Sequence, residues 1–436
     1  MVSAALRQFF FPLCMKAAPR MDLFPPLRPE LAIEPMEQGG ESFFVIRDSA
    51  GYAPSDLVLT PAALFVLHLF DGERTRDAIK AAFQEETGAV LDDRDMDEIR
   101  AAADGACILD SDAFYQRAHV VDESFRRNPV RLPACAGAVY AADPAELRSH
   151  ICEMIEKAPA PECAPTGTGT PSAIIAPHVD YQRGYNAYGQ LYRELATRPA
   201  PETVVILGTA HEGASTPLVL TQKDFITPFG TMHADGDLVR RLADGLPFDP
   251  FHDEPRHRNE HSVELQLPFL QHIWGAGVRI VPVLCGSLFE WRGGRLSRAN
   301  DAWRREFCDR LRMEARARGE RLLIMASADL SHVGPVFGDD IDSVDEVIRA
   351  GVMDMDRRLL MAALGGSANG IVALLEEGGN PTHICGGACI HAMLLSNGLS
   401  NGTLMGYHQA PAEDGSQMVT FASVIYERNA EGTAGR

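Results

Sequence analysis

The 436-residue chain has no run of 18 or more uninterrupted apolar residues, so no membrane-spanning helix is expected. It has no Cys-x-x-Cys pair, and its nine cysteines, at positions 14, 107, 135, 152, 163, 285, 308, 385 and 389, are odd in number and widely spaced. A disulfide framework is not expected, and the thiols read as reduced in a cytoplasmic setting. Basic residues are scarce: 40 Lys and Arg stand against 60 Asp and Glu, a net charge of −20. Such a surface repels phosphate backbones and anionic lipid, so neither nucleic acid nor a membrane is expected as a partner.

What is present is the composition of a globular protein, 46% hydrophobic and 23% charged, with length for two or three domains. Near the start, Arg7, Gln8, Pro12 and Lys16 interrupt the apolar residues, so 1–21 reads as a disordered leader rather than a signal peptide, with Met21 an alternative start. Residues 22–120 form a small unit. Phe43 to Ile46 is an apolar run followed by turn chemistry at Arg47 to Gly51, and a hairpin is expected there. Thr60-Pro61 then supplies a helix start, and helical periodicity recurs over 76–87 and 93–108. A linker follows at 121–132. Ala142 to Lys157 reads as a helix and the Pro- and Gly-rich Ala158 to Pro171 as a loop.

From there to 428 the texture is that of an α/β domain, with 429–436 as a tail. Four short runs, Ala173 to Ala176, Val204 to Leu207, Arg279 to Leu284 and Leu322 to Met325, are apolar without alternation, as strands buried on both faces are. Eleven of the fourteen histidines lie at or after residue 178. The runs lead into His178, into Gly208-Thr209-Ala210-His211, into Cys285-Gly286, and into Asp329-Leu330-Ser331-His332. Ligands of open α/β sheets bind outside the carboxyl ends of the strands, so these groups are expected to share one site. Glu260 and His261, in a charged turn before an apolar helix, are candidates to orient a ligand from behind. His383 to Cys389 adds glycines that permit close backbone approach and, in Cys385, a soft ligand, whereas Cys389 reads as core. His332, three residues after Asp329, makes a candidate acid-base pair with it. His233, His252, His257, His272 and His408 read as surface or structural.

Seven motifs in order carry a resemblance over about 128–428: Ala136-Gly137-Ala138-Val139-Tyr140, Ala176-Pro177-His178 with Tyr181 and Arg183-Gly184, Gly208 to His211, Thr227-Pro228-Phe229-Gly230, Glu260 to Glu264, Ser327 to His332, and Ile384-Cys385-Gly386. The segment resembles the Memo family, the protein B component of the AmmeMemoRadiSam group, related in fold to class III extradiol dioxygenases. The resemblance implies a metal pocket with His178, His211 and Cys385 as ligands and Asp329 and His332 beside them. It implies a divalent or redox metal ion, iron or copper ahead of zinc. It also implies AMMECR1-like and radical S-adenosylmethionine proteins as partners; without a Cys-x3-Cys-x2-Cys motif the chain is not itself such a radical enzyme. Cys385 in place of a carboxylate argues against ring cleavage. Glu212, where a second histidine often follows the first, and Gly387, where an arginine can follow Cys-Gly, depart from the pattern. Leu27-Arg28-Pro29, Val45 to Asp48, Leu59-Thr60-Pro61, Leu69 to Gly72 and Cys107-Ile108-Leu109 make the first unit similar to PqqD-like winged-helix domains, which implies a peptide ligand.

The expected architecture is therefore a small winged-helix-like α+β domain before a dioxygenase-like α/β domain. Two functions remain open at this level: a metal-dependent oxidoreductase, and a non-catalytic metal- or ligand-binding scaffold.

Overall fold

The computed structural model describes residues 23–292, 295–298 and 301–428; the expected leader and tail lie outside the described residues. The chain divides at Arg127 into two compact units.

The first unit is an antiparallel sheet in the order β1 (Ala32–Gln38), β2 (Glu41–Arg47), β3 (Leu57–Leu59), followed by α1 (Pro61–His68), α2 (Arg76–Thr87), α3 (Asp93–Gly105) and α4 (Asp112–Arg127). Thr60, Thr75 and Asp92 cap the first three helices with their side chains, and Pro61 opens α1. Phe24, Ile46, Leu67, Ile79, Met96 and Leu109 meet in the core. Phe43 to Ile46 lies on the central strand, so both of its edges are already paired. Helix α4 fills the first part of the segment expected to be linker. Its charge hid it: Phe125 is its one buried residue, and Asp112 at the start and Arg126 and Arg127 at the end suit the helix dipole.

The second unit is built on an eight-stranded sheet. In chain order it runs β4 (Val130–Arg131), α5 (Pro144–Lys157), β5 (Ala173–Ala176), α6 (Tyr185–Ala196), β6 (Thr203–Thr209), β7 (Leu218–Leu220), β8 (Asp224–Thr227), β9 (Gly230–Met232), α7 (Gly236–Ala243), α8 (His261–Glu264), α9 (Leu267–Trp274) and β10 (Arg279–Cys285). It continues with β11 (Phe289–Arg292), β12 (Arg295–Arg298), α10 (Asp301–Arg318), β13 (Leu322–Ser327), β14 (Asp329–Val333), α11 (Glu346–Leu364), α12 (Ala368–Glu376), α13 (Gly387–Asn397), β15 (Thr403–Pro411) and β16 (Met418–Tyr426). Strands β5, β13, β6 and β10 are parallel neighbours. Antiparallel β16 joins β5 and also pairs with β14 and β15.

The four parallel strands are the four apolar runs, and alternation within them resolves two covered faces. Ala173, Ile175, Val205 and Leu207 join one core, which includes α10 to α13; Ile174, Ala176, Val204 and Ile206 join the other, with α5, α6 and α9. Because the strands are parallel, their carboxyl ends, and the polar residues that follow, share one edge. Pro268 lies in the first turn of α9, which follows the short α8. No helix among the described residues is long and apolar enough to cross a membrane.

Candidate metal centre

His178 follows β5 through Pro177, and its backbone N–H donates to Asp329 Oδ1 at 2.8 Å. Its Nδ1 lies 2.9 Å from the carbonyl oxygen of Ser327, the last residue of β13. A carbonyl can only accept, so Nδ1 carries the proton and Nε2 presents its lone pair. That Nε2 is 3.2 Å from Cys385 Sγ.

His211 follows β6. Its Nδ1 lies 3.0 and 3.1 Å from the two oxygens of Glu260, which also accepts the His211 backbone N–H. Glu260 is the N-cap of α8 and takes the N–H of Ser262 at 2.8 Å, so one carboxylate holds both a helix terminus and an imidazole. With Nδ1 taken up by Glu260, Nε2 is the His211 atom left toward the Cys385 thiol. His178, His211 and Cys385 each offer a ligand atom within 4.8 Å of the others.

Cys385 is delivered by a close approach of backbone. The N–H of Gly386 donates to Asp329 O at 3.1 Å, and a Cβ at 386 would stand 2.4 Å from that oxygen and 2.5 Å from Ala328 Cβ. Only glycine lets α13 start this near the strand.

Electrostatics divides the imidazoles. Burial drives the pKa of His178 well below the ordinary value, aided by the neighbouring His211 and His261. Burial also works against charge on His211, but the Glu260 carboxylate and the Cys385 thiol outweigh it and raise its pKa well above ordinary. About a third of the His211 side chain is solvent-accessible, which gives the site its opening. Burial pushes the Cys385 thiol up to about 11, against a lowering interaction with His211. A divalent ion at these three atoms would reverse that, because a coordinating thiol is deprotonated outright.

His261 is closer than an orienting role requires. Its ring stacks on His211 at 4.5 Å and meets His178 edge-on at 5.4 Å, and it forms a second candidate donor group with His211 and Glu260. Burial lowers its pKa to about 4.

Asp329 and His332 do not form the expected pair. Both lie on strand β14, not on a loop or helical turn, and the register shifts between them. The Asp329 carboxylate turns to the backbone N–H groups of His178 and Val179, while burial lifts its pKa to about 7. His332 places Nδ1 3.2 Å from Leu330 O and packs edge-on to Phe337, and burial takes its pKa down to about 4. Spacing in sequence suggested a contact that the extended backbone does not make.

Sequence reasoning missed the layer behind Glu260. Fully buried Arg131 forms an ion pair with Glu264, and donates to the backbone oxygens of His257 at 3.1 Å and Glu260 at 2.9 Å. Glu264 also accepts from the N–H groups of Ala134 and Cys135 and from the Tyr140 hydroxyl. The available signal was a lone arginine between Val130 and Leu132 upstream of Ala136 to Tyr140.

The fold and site thus define an α/β protein whose strand ends gather imidazoles and a thiol with metal-ligand spacing. Comparison with known proteins narrows the class. A family described as Memo-like protein matches residues 131–425, and the chain belongs to this family. It is 27% identical over 406 residues to a MEMO1 family protein of Aquifex aeolicus, covering 92% of this chain and all of that relative. It is 31% identical over 310 residues to one of Methanopyrus kandleri, 68% of this chain and 99% of the relative. The Aquifex alignment is longer than the second unit, so the likeness reaches into the first.

Proposed function

We propose that the protein binds one redox-active metal ion, iron or copper, through Nε2 of His178, Nε2 of His211 and Sγ of Cys385, and works as an oxidoreductase with a dioxygenase-like pocket. The observation that carries this reading is the paired fixing of Nδ1 by Ser327 and by Glu260, which turns both Nε2 atoms toward one sulfur. Iron or copper held there supplies one-electron chemistry, and zinc would supply Lewis acidity alone. Asp329 holds the backbone of His178. His332 is neutral at physiological pH, and with Nδ1 committed to Leu330 O it offers Nε2 as a proton acceptor. His261 flanks the open side of His211 and can hydrogen-bond a bound substrate.

The test is metal bound per chain in full-length protein purified without added metal. Cys385→Ser and His211→Ala, made separately, should each retain less than about a tenth of it, a loss of the order expected when a ligand or its support is removed. Full occupancy in both overturns the ligand set. Oxygen uptake with catechols and with reductants then separates the readings: none with either favours the scaffold.

The same reading places the protein beside AMMECR1-like and radical S-adenosylmethionine partners, with the first unit, a winged-helix-like module, recognising a peptide. Since β2 is paired on both sides, strand addition belongs at an outer edge. Strand β1 carries Pro35, which has no N–H, and the acidic Glu34 and Glu37, so β3 is the better acceptor. A Val58→Pro variant should lose binding of a labelled peptide from a protein encoded beside this one; undiminished binding sinks the β3 assignment.

A further inference from the structure

Asp356 of α11 is a carboxylate at 0% exposure, and three hydroxyls hold it in place of a cation. Ser331 donates to Oδ1 at 2.6 Å, and Thr420 at 2.6 Å and Tyr407 at 2.8 Å donate to Oδ2. Two arginines of the same helix turn elsewhere, Arg349 to Glu346 and Arg358 to Glu377. Burial raises the carboxyl pKa, and the three hydroxyls oppose the rise. A buried charge kept without a counter-ion is costly, so what it organises matters.

An ionised carboxylate only accepts, so it claims the proton of each hydroxyl and leaves each oxygen free to accept in turn. Thr420 Oγ1 accepts the backbone N–H of Ser331 at 2.9 Å, and Ser331 Oγ accepts the Thr382 hydroxyl at 2.8 Å. An amide at 356 would donate from one of its two ends, toward Ser331 or toward Thr420 and Tyr407, and a hydroxyl would have to reverse.

These bonds fall at an irregularity in the sheet. Asp329 stands opposite Phe421 and His332 opposite Val419, so Leu330 and Ser331 share the single partner Thr420, which is a β-bulge. The bulge sets what lies on either side of it. Leu330 O is 3.2 Å from His332 Nδ1 and accepts the N–H of Cys385 at 3.4 Å. Thr382 O accepts the His332 N–H at 2.8 Å, and Asp329 O accepts the Gly386 N–H at 3.1 Å. The segment from Thr382 to Gly386 is thus laced to β14 across the bulge, and Cys385 is carried on it.

We propose that Asp356 is a positioning residue for the metal-ligand site: by directing the Ser331, Thr420 and Thr382 hydrogen bonds it holds the bulge that places Cys385 and fixes the His332 ring. The inference rests on the ligand set proposed above and says what supports it, since none of the Asp356 hydrogen bonds reaches a ligand atom.

The test compares full-length Asp356→Asn, Thr420→Val and Thr420→Ser with the unaltered protein. Amide hydrogen exchange is measured without metal, and the near-ultraviolet absorption of added cobalt(II) supplies a thiolate charge-transfer band for Cys385. Asp356→Asn and Thr420→Val should each speed exchange in 330–333 and 382–386 about tenfold, the effect of losing one hydrogen bond, and weaken the band at equal bound cobalt. Thr420→Ser keeps the hydroxyl and should match the unaltered protein. A role in packing alone orders the two Thr420 variants the other way, because Val fills the space of Thr and Ser does not. That order overturns the proposal, as does unchanged exchange at 382–386 in both Asp356→Asn and Thr420→Val; an undiminished band in both overturns the placing of Cys385. Should Asp356→Asn not fold, the Thr420 pair decides. If the unaltered protein gives no cobalt band that Cys385→Ser removes, the ligand set fails, and the metal-free exchange still decides the role of Asp356.

Discussion

Each unit buries an arginine against a carboxylate. In the first, Arg28 pairs with Asp48 at 3.0 Å, donates to Cys107 O, and lies 4.0 Å over the Phe114 ring. Asp48 also accepts the N–H groups of Ala50, Tyr52 and Ala53. Burial would raise its pKa, but Arg28 and these N–H groups outweigh it and hold the carboxyl below its usual range. Arg28 also pairs with Glu30 at 2.7 Å, and every one of these partners belongs to the same unit, so the pair fastens a fold. In the second unit Arg131 and Glu264 are as deeply buried, yet their partners include the backbone of Glu260, whose side chain holds His211. The chemistry of the two pairs is alike, and what each can influence depends on one further hydrogen bond.

The largest expected effect is at Glu264. Glu264→Gln leaves Arg131 buried and unpaired, which costs about 3–5 kcal/mol, and should weaken metal retention about 10–100-fold through the loosened Glu260. Denaturant unfolding and metal per chain measure the two. Asp48→Asn should destabilise its own unit by about 3 kcal/mol, seen as faster hydrogen exchange confined to 23–127, with metal per chain unchanged. A metal loss there would break the contrast. The smallest effect sharpens it at His257, whose carbonyl oxygen receives Arg131 and whose pKa burial lowers to about 3. Unfolded, a histidine titrates near about 6.5. Its contribution is therefore complete above that pH, and is lost as pH falls toward 3, by about 1.4 kcal/mol per pH unit, because only the unfolded chain takes up the proton. Urea midpoints at pH 7 and pH 5 should differ less in His257→Gln than in the unaltered protein.

The strands and the convergence of His178, His211 and Asp329 were legible because both follow from one regularity: buried runs without alternation make a parallel sheet, and a parallel sheet has one carboxyl edge. Cys385, just before α13, entered instead as a soft thiol beside glycines and through the family resemblance. Glu260 was legible as a candidate because it stands with His261 in a charged turn before an apolar helix, although the helix dipole alone also favours an acid there. Three features were not. The Asp329 to His332 spacing carried no information about backbone direction, and a strand with a register shift undid the pair. Helix α4 is rich in charge and buries only Phe125, which let it pass for a linker. Arg131 lies 133 residues from Glu264, and a contact at that separation leaves no local pattern.

The paired glycines after Cys385 differ in what they tolerate. At 386 the obstacle is the strand itself, the Asp329 oxygen with Ala328 Cα and Cβ, and no rotation of a side chain can clear it. At 387 an added carbon meets Leu375 Cδ1 at 2.4 Å, the far end of a flexible side chain that can swing away. Variation is thus barred at one position and cheap at the next. A small residue could be grafted at 387 without unseating Cys385, whereas a charge there would enter the buried side of α13, and 386 stays glycine in any functional library.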